Sequence, residues 1–203
     1  MEVVRVEAGR DADAPRFYFD LGSPSCWLVA ERILRVMPVA TEWIPVLADD
    51  LGGPIESDAF RCAEEERIWR SEIERRAARL ELQNVRWPAE VPFDSAFAMR
   101  AATYAKGIGR TVPFAIAAFR QAWCGGRDLS DRDSVLIAAA ACEMHPNAVL
   151  KGAELRSTAD ALRAAGAAAR ELGVDRVPAI AAGGRVWVGE DAPERAAAVL
   201  QAA

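Results

Sequence analysis

The sequence of 203 residues lacks any apolar run close to the ~18 residues that a membrane-spanning helix needs. Its first residues are Met and Glu, and no apolar segment of signal-peptide length follows them. These two absences predict a cytoplasmic protein with no membrane partner.

Clusters of basic residues are also missing. The chain has 25 Lys and Arg against 30 Asp and Glu, which gives a formal net charge of −5, and it contains no strongly basic block. Binding to a nucleic-acid backbone depends on clustered Lys and Arg. We therefore expect no nucleic-acid partner.

Cysteine and histidine are scarce and scattered. The four cysteines, Cys26, Cys62, Cys124 and Cys142, form no Cys-x-x-Cys pair, and the single histidine, His145, precedes a proline in a turn-like stretch. Widely spaced cysteines in a chain of this length indicate reduced thiols rather than a disulfide framework. No clustering of His, Cys and carboxylates suggests a metal site, and we expect His145 to be a solvated loop residue.

Alanine, in contrast, is abundant and predicts a largely helical chain. Strand-like patterns occur only near the two ends, at residues 15–21 and 41–48 and in a hairpin over 177–189 that turns at Gly183-Gly184. Helical spacing is found at residues 25–37, 59–82, 95–106, 112–124, 131–143 and 154–172, and a final helix follows residue 191.

This order of elements predicts an α/β fold of specific architecture. A βαβ half and a ββα half would form one small core (1–54 and 173–203), which a large all-helical insertion (55–172) splits. Within the insertion, residues 85–94 contain two prolines and predict an extended connector. The helix over 59–82 is rich in Glu and Arg at i,i+4 spacing, which we interpret as a solvated face.

The stretch "FYFDLGSPSCWLVAERI", residues 17–33, places Ser23, Pro24, Ser25 and Cys26 where a strand passes into a helix. Serine before proline is a good generic helix start, because serine caps free N–H groups and proline fits the first helical position. The same position also stabilises anions, including thiolates. Local sequence alone leaves both readings open.

Together with "VPFDSAFAMRAATYA", "FRQAWCGGRDLSD" and "LGVDRVPAIAAGGRVWVGED", this stretch resembles the thioredoxin-like superfamily with a helical insertion. The chain looks most similar to the 2-hydroxychromene-2-carboxylate isomerase and kappa-class glutathione transferase branch of the DsbA-like family. In that branch a serine, here Ser23, replaces the first cysteine of the dithiol motif.

The resemblance implies a function and a set of site residues. It implies a glutathione-dependent (or other low-molecular-weight-thiol-dependent) isomerase or transferase that acts on small aromatic-derived electrophiles, with relatives that commonly form dimers. Ser23 would hold the thiolate, and Val177-Pro178 would be a cis-proline dipeptide. Gly189, Glu190 and Asp191 would hold the γ-glutamyl end of the thiol peptide, although Glu190 and Asp191 could instead favour the dipole of the last helix.

Three positions depart from the pattern of the branch. Ser25 stands where an aromatic residue is usual, and Cys26 keeps the second cysteine of a redox motif. The family's lysine after the second strand has no clear counterpart, and Arg61 is the candidate substitute. For the carboxylate of a substrate, the candidates are Asn84, Arg86 and Arg100.

Two alternative functions follow from the same residues. One is a DsbA-like oxidoreductase in which Cys26, alone or with Cys62, carries redox chemistry. The other is a thioredoxin-like module that binds an extended peptide beside Pro178.

Overall fold

In a computed structural model, which describes residues 14–54, 60 and 62–202, the strands predicted near the two ends of the chain form one sheet. The strands are β1 (Arg16–Phe19), β2 (Glu42–Pro45), β3 (Ala179–Ala182) and β4 (Arg185–Val188). Their order is β2-β1-β3-β4. β1 is parallel to β2 and antiparallel to β3, and β3 and β4 form the hairpin.

The helices occupy the positions that separate and follow these strands. α1 (Pro24–Ala30) and α2 (Ile33–Val36) connect β1 to β2, and α9 (Ala192–Gln201) follows β4. Between β2 and β3 lie a 3-10 turn (Ala48–Asp50) and α3 (Ala63–Arg79), α4 (Ala96–Gly107), α5 (Thr111–Trp123), α6 (Arg132–Ala140), α7 (Pro146–Glu154) and α8 (Arg156–Glu171). The arrangement is the α/β, thioredoxin-like fold with a helical insertion. The domain boundaries at 54/55 and 172/173 stay a prediction.

The first predicted helix is interrupted. The sequence predicts one helix over 25–37, but Arg32 leaves the helical conformation with φ −125° and ψ −16°. Its largely buried guanidinium donates to the carbonyl oxygen of Glu190 and pairs with the carboxylate of Glu194. This contact with the C-terminal part of the chain is tertiary, so helical spacing alone could not reveal the break.

A helix was also missed. α7 begins directly after His145, with Pro146 as its first residue. Proline suits this position because its missing N–H would have no partner in the first turn of a helix. The prediction that His145 is exposed is confirmed.

The helical insertion and the sheet share one hydrophobic core. Phe19 of β1 packs its ring 5.7 Å from that of Trp43 on β2 and 5.9 Å from that of Phe119 on α5. The backbone N–H of Leu21, just after β1, points at the sulfur of Met99 on α4 at 3.2 Å. The insertion therefore packs directly against the strand that leads into the Ser-Pro-Ser-Cys corner.

Among the helices of the described ranges, none combines the length and the apolar character that a membrane span requires.

Candidate active site

Ser23 is the N-cap of α1. Its backbone is extended (φ −102°, ψ 116°), and its hydroxyl oxygen accepts a hydrogen bond from the Cys26 N–H at 3.2 Å. Only 7 % of the residue is exposed. α1 has seven residues, so its dipole is that of two turns, and the individual donors at the corner matter more than the helix as a whole.

Asp20 fixes the backbone around this corner. Its carboxylate accepts from the Gly22 N–H at 2.8 Å and from the Ala48 N–H at 2.9 Å. The hydroxyl of Ser95, next to α4, is a third partner. Burial raises the pKa of Asp20 from its ordinary value, against the opposing effect of these hydrogen bonds. One side chain thus joins the end of β1, the turn after β2 and the start of α4.

The Val177–Pro178 peptide bond is cis, which confirms the prediction. The carbonyl oxygen of Pro178 accepts from the Gly189 N–H at 2.9 Å, so the start of β3 is tied to the end of β4.

Gly53 brings the loop after β2 against the segment that precedes this cis-proline. Its N–H donates to the carbonyl oxygen of Asp175 at 2.9 Å. A Cβ atom at position 53 would lie 2.2 Å from that same oxygen, so only glycine permits the approach. The next residues on each segment, Pro54 and Arg176, both line the two cavities described next.

Two cavities meet at Val177. The first, which we call the corner cavity, has a volume of about 320 Å³. The second, which we call the hairpin groove, has a volume of about 600 Å³. The corner cavity is lined by Asp20, Gly22, Ser23, Leu47, Ala48, Asp49, Pro54, Pro92, Phe93, Asp94, Ser95, Ala96, Arg176 and Val177. The hairpin groove is lined by Ser25, Pro54, Arg76, Arg176, Val177, Pro178, Val188, Gly189, Glu190 and Asp191.

Glu190 is the polar centre of the hairpin groove. One of its carboxylate oxygens accepts from the Ser25 hydroxyl at 2.8 Å and from the Arg76 guanidinium at 2.7 Å. Its main-chain carbonyl accepts from Arg32. Asp191 lies at the surface, 3.7 Å from the Arg195 guanidinium. A single residue therefore connects α1, α3 and the segment before α9.

The six residues proposed from the sequence lie together. Ser23 lines the corner cavity, and Pro178, Gly189, Glu190 and Asp191 line the hairpin groove. Val177 lines both, and so joins the two groups.

The candidates for a substrate carboxylate are not in this place. Asn84, Arg86 and Arg100 are absent from the described lining of both cavities. The connector before α4, which contains Asn84 and Arg86, instead contributes Pro92, Phe93 and Asp94. Arg61, the candidate substitute for the family's lysine, lies outside the described residues.

Sequence reasoning missed several charged residues of the site, and three of them show why. Arg176 precedes the cis-proline dipeptide directly, and that adjacency was a usable signal. Asp20 stands three residues before Ser23, but nothing in the sequence alone showed that it is buried. Arg76 carried a misleading signal, because its i,i+4 spacing from Glu72 suggested a solvated face. That pair does form, at 3.4 Å, yet the same guanidinium also reaches Glu190.

The cysteines differ in accessibility. Cys26 and Cys142 are buried, with Cys26 fully so, while Cys62 is exposed. Burial raises the pKa of the Cys124 thiol to about 11. Within the described residues, no three His, Cys, Asp or Glu side chains are grouped so that they could hold a metal ion.

Comparison with known proteins gives a family and several similar folds. The family model described as a DSBA-like thioredoxin domain matches residues 16–201. A 2-hydroxychromene-2-carboxylate isomerase structure superposes with a TM-score of 0.80 at 16 % identity, covering 93 % of this chain and 95 % of that one. A search of the curated proteins gave no match to the sequence.

Two oxidoreductases have similar folds as well. A probable DsbA oxidoreductase from Streptomyces coelicolor has a TM-score of 0.74 at 18 % identity, with 94 % of this chain and 89 % of that one covered. The cytosolic disulfide reductase DsbM from Pseudomonas aeruginosa, in a structure with GSH, has a TM-score of 0.63 at 15 % identity, with 93 % and 98 % covered. At these identities the likeness concerns the fold.

Proposed function

The chain belongs to the DSBA-like thioredoxin domain family, and on that basis we propose that it is an enzyme that uses a low-molecular-weight thiol, glutathione or an equivalent, to isomerise or conjugate small aromatic-derived electrophiles. Proteins of this fold include isomerases and oxidoreductases. The proposal includes a cytoplasmic location, where such thiols are kept reduced, and a possible homodimer.

The observation that carries the proposal is Ser23 at the N-cap of α1, in a cavity that it shares with Val177 of the cis-proline dipeptide. A serine cannot form the mixed disulfide of thiol–disulfide exchange. It can, however, hydrogen-bond a thiolate that comes from outside the protein. A serine hydroxyl can donate as well as accept, and here its oxygen accepts from the Cys26 N–H at 3.2 Å.

The hairpin groove fits a thiol peptide in size and in charge. Its volume of about 600 Å³ falls within the range of roughly 300–1,000 Å³ that is usual for small-ligand sites. Its described lining carries two guanidiniums, from Arg76 and Arg176, and two carboxylates, from Glu190 and Asp191. Such a balanced lining suits a zwitterion that has both carboxylates and an ammonium group. The fold neighbour DsbM, whose structure is with GSH, supports the same choice of ligand.

When bound, a thiol supplies a nucleophile that adds reversibly to a conjugated electrophile and so frees the former double bond to rotate. The residues of this chain would hold that nucleophile as an anion. The hydroxyl of Ser23 would donate to the sulfur, and the positive charge of Arg176 would stabilise it from the wall common to the two cavities. Asp191 would accept from an ammonium group, and the backbone of Val177 would pair with the peptide.

The oxidoreductase alternative depends on Cys26, which is fully buried. A thiol of this kind is poorly accessible to a protein disulfide or to a bulky reagent. The third candidate, a peptide-binding module, uses the same Pro178 but needs no small-molecule chemistry.

Calorimetric titration of glutathione tests the proposal, with Ser23→Ala as the variant and Ser130→Ala, at an exposed turn, as the matched control. We expect binding by the wild type and the control. Ultraviolet absorbance of the bound thiolate against pH should then show a thiol pKa that is about one to two units higher in Ser23→Ala, because a charge-assisted hydrogen bond is lost. No binding of glutathione, or of any other cellular thiol tried, would refute the proposal.

A further inference from the structure

The corner cavity and the hairpin groove differ in charge. Among the described residues, the groove lining has as many cations as carboxylates, whereas the corner-cavity lining has three carboxylates, from Asp20, Asp49 and Asp94, against one guanidinium, that of Arg176. That guanidinium also lies 3.7 Å from the carboxylate of Asp175, so part of its charge is already balanced.

From this difference we infer that the corner cavity takes an uncharged aromatic electrophile, such as an enone or enal, and discriminates against one that carries a carboxylate. The inference rests on the proposed function, because it assigns the second substrate of the same site. It departs from a carboxylate-bearing substrate of the kind named for the isomerase with the similar fold.

Three backbone donors of the cavity lining are already occupied. The N–H groups of Gly22 and Ala48 donate to Asp20, and the N–H of Ala96, at the start of α4, donates to Asp94 at 2.8 Å. Helix starts ordinarily bind anions through such free N–H groups. Here two carboxylates of the protein itself take that role, so a carboxylate on a ligand would meet negative charge where it needs donors.

The rest of the lining suits an apolar ring. Leu47, Pro54, Pro92, Phe93 and Val177 contribute apolar surface to the cavity. A volume of about 320 Å³ is at the lower end of the usual range for small-ligand sites, which suits one aromatic ring with a short conjugated chain.

The buried carboxylate supports the same selectivity in either protonation state. Burial raises the pKa of Asp20, and the neighbouring Asp49 carboxylate raises it further. If Asp20 is protonated, the cavity still has two carboxylates at Asp49 and Asp94 against one guanidinium. If it is ionised, the excess of negative charge grows.

The test compares two ligands that share one conjugated aromatic skeleton and differ in net charge. trans-Benzylideneacetone is an uncharged enone, and trans-benzylidenepyruvate has a carboxylate in place of its methyl group. Binding is measured by calorimetry at pH 7 and low ionic strength without any thiol, so the result does not depend on the proposed thiol chemistry. We expect the uncharged ligand to bind at least about tenfold more tightly, since each nearby charge affects an anion by roughly this factor.

The double variant Asp49→Asn/Asp94→Asn shows whether these carboxylates cause the preference. Both side chains are exposed to solvent, and asparagine at position 94 retains a side-chain oxygen that can accept from the Ala96 N–H. We expect the ratio of the two affinities to fall below about threefold. Equal or tighter binding of the anion by the wild type, an unchanged ratio in the variant, or no binding of either ligand would overturn the inference. The glutathione titration reports separately on the thiol site.

Discussion

The Arg76–Glu190 ion pair should connect the helical insertion to the thioredoxin-like part of the chain with a measurable coupling energy. The pair joins α3 to the segment before α9 at 2.7 Å, with side chains that are 37 % and 22 % exposed. Two unit charges about 4 Å apart interact by roughly 4 kcal/mol at an effective dielectric constant of about 20. Solvent screening and side-chain entropy reduce this strongly, so for a partly exposed pair we expect about 1 kcal/mol.

A double-mutant cycle isolates that energy. The variants are Arg76→Ala, Glu190→Gln and the two together, and the free energy of unfolding is measured by urea denaturation with tryptophan fluorescence. Arg76 also contacts Glu72 at 3.4 Å, and the cycle removes this contribution because it is lost equally from both backgrounds. Glutamine keeps an oxygen that can accept from Ser25, so the hydrogen bond at 2.8 Å is retained.

The matched control is Arg75→Ala on the same helix. Arg75 is 70 % exposed and lies 3.7 Å from Glu72, so its coupling to Glu190→Gln should stay below about 0.3 kcal/mol. If the Arg76–Glu190 coupling is as small as this, the ion pair does not help to hold the insertion in place. Glu190 would then not contribute measurably to the connection between α3 and the segment before α9.

Three further outcomes are expected. Ser23→Cys should create a Cys-x-x-Cys motif with Cys26 and give thiol–disulfide exchange, measured as insulin reduction with dithiothreitol as the reductant; inactivity of the folded variant would contradict the reading of this corner. Because the pKa of Asp20 is raised in the folded state, its contribution to the free energy of unfolding is largest below its unfolded-state pKa and falls as pH rises through the folded-state pKa. In urea titrations the stability of the wild type relative to Asp20→Asn should therefore decrease over that pH range. An increase would contradict the raised pKa. At pH 9 iodoacetamide should modify the exposed Cys62 well before Cys124, whose pKa of about 11 leaves about 1 % thiolate. The two cysteines should react at equal rates in urea, which serves as the reference. Equal rates in the folded protein would count against the burial of Cys124.

The order of elements could be predicted because its signals are local. The alternating pattern before Ser23 and the Gly183-Gly184 turn indicate strands without help from the rest of the chain. The cis conformation of the Val177–Pro178 bond was predicted from the resemblance of "VDRVPAI" to a family, since nothing in local composition distinguishes cis from trans.

The features that could not be predicted depend on distant contacts. The break at Arg32 follows from its bonds to Glu190 and Glu194, more than 150 residues later. The ion pair between Arg76 and Glu190 could not be predicted for the same reason, because the sequence shows which face of the helix carries Arg76 but not what packs on that face. The charge of the corner cavity arises from four segments, around Asp20, Asp49, Asp94 and Arg176, which meet only in the folded chain.

The close approach at Gly53 makes one backbone position affect the shape of both the corner cavity and the hairpin groove. The segments that it joins carry Pro54 and Arg176, which belong to the corner cavity and to the hairpin groove alike. Any side chain at position 53 would force these segments apart, because its Cβ would lie 2.2 Å from a carbonyl oxygen. The two cavities would then change together, so under the proposed function a substitution at position 53 would alter thiol affinity and electrophile selectivity at once.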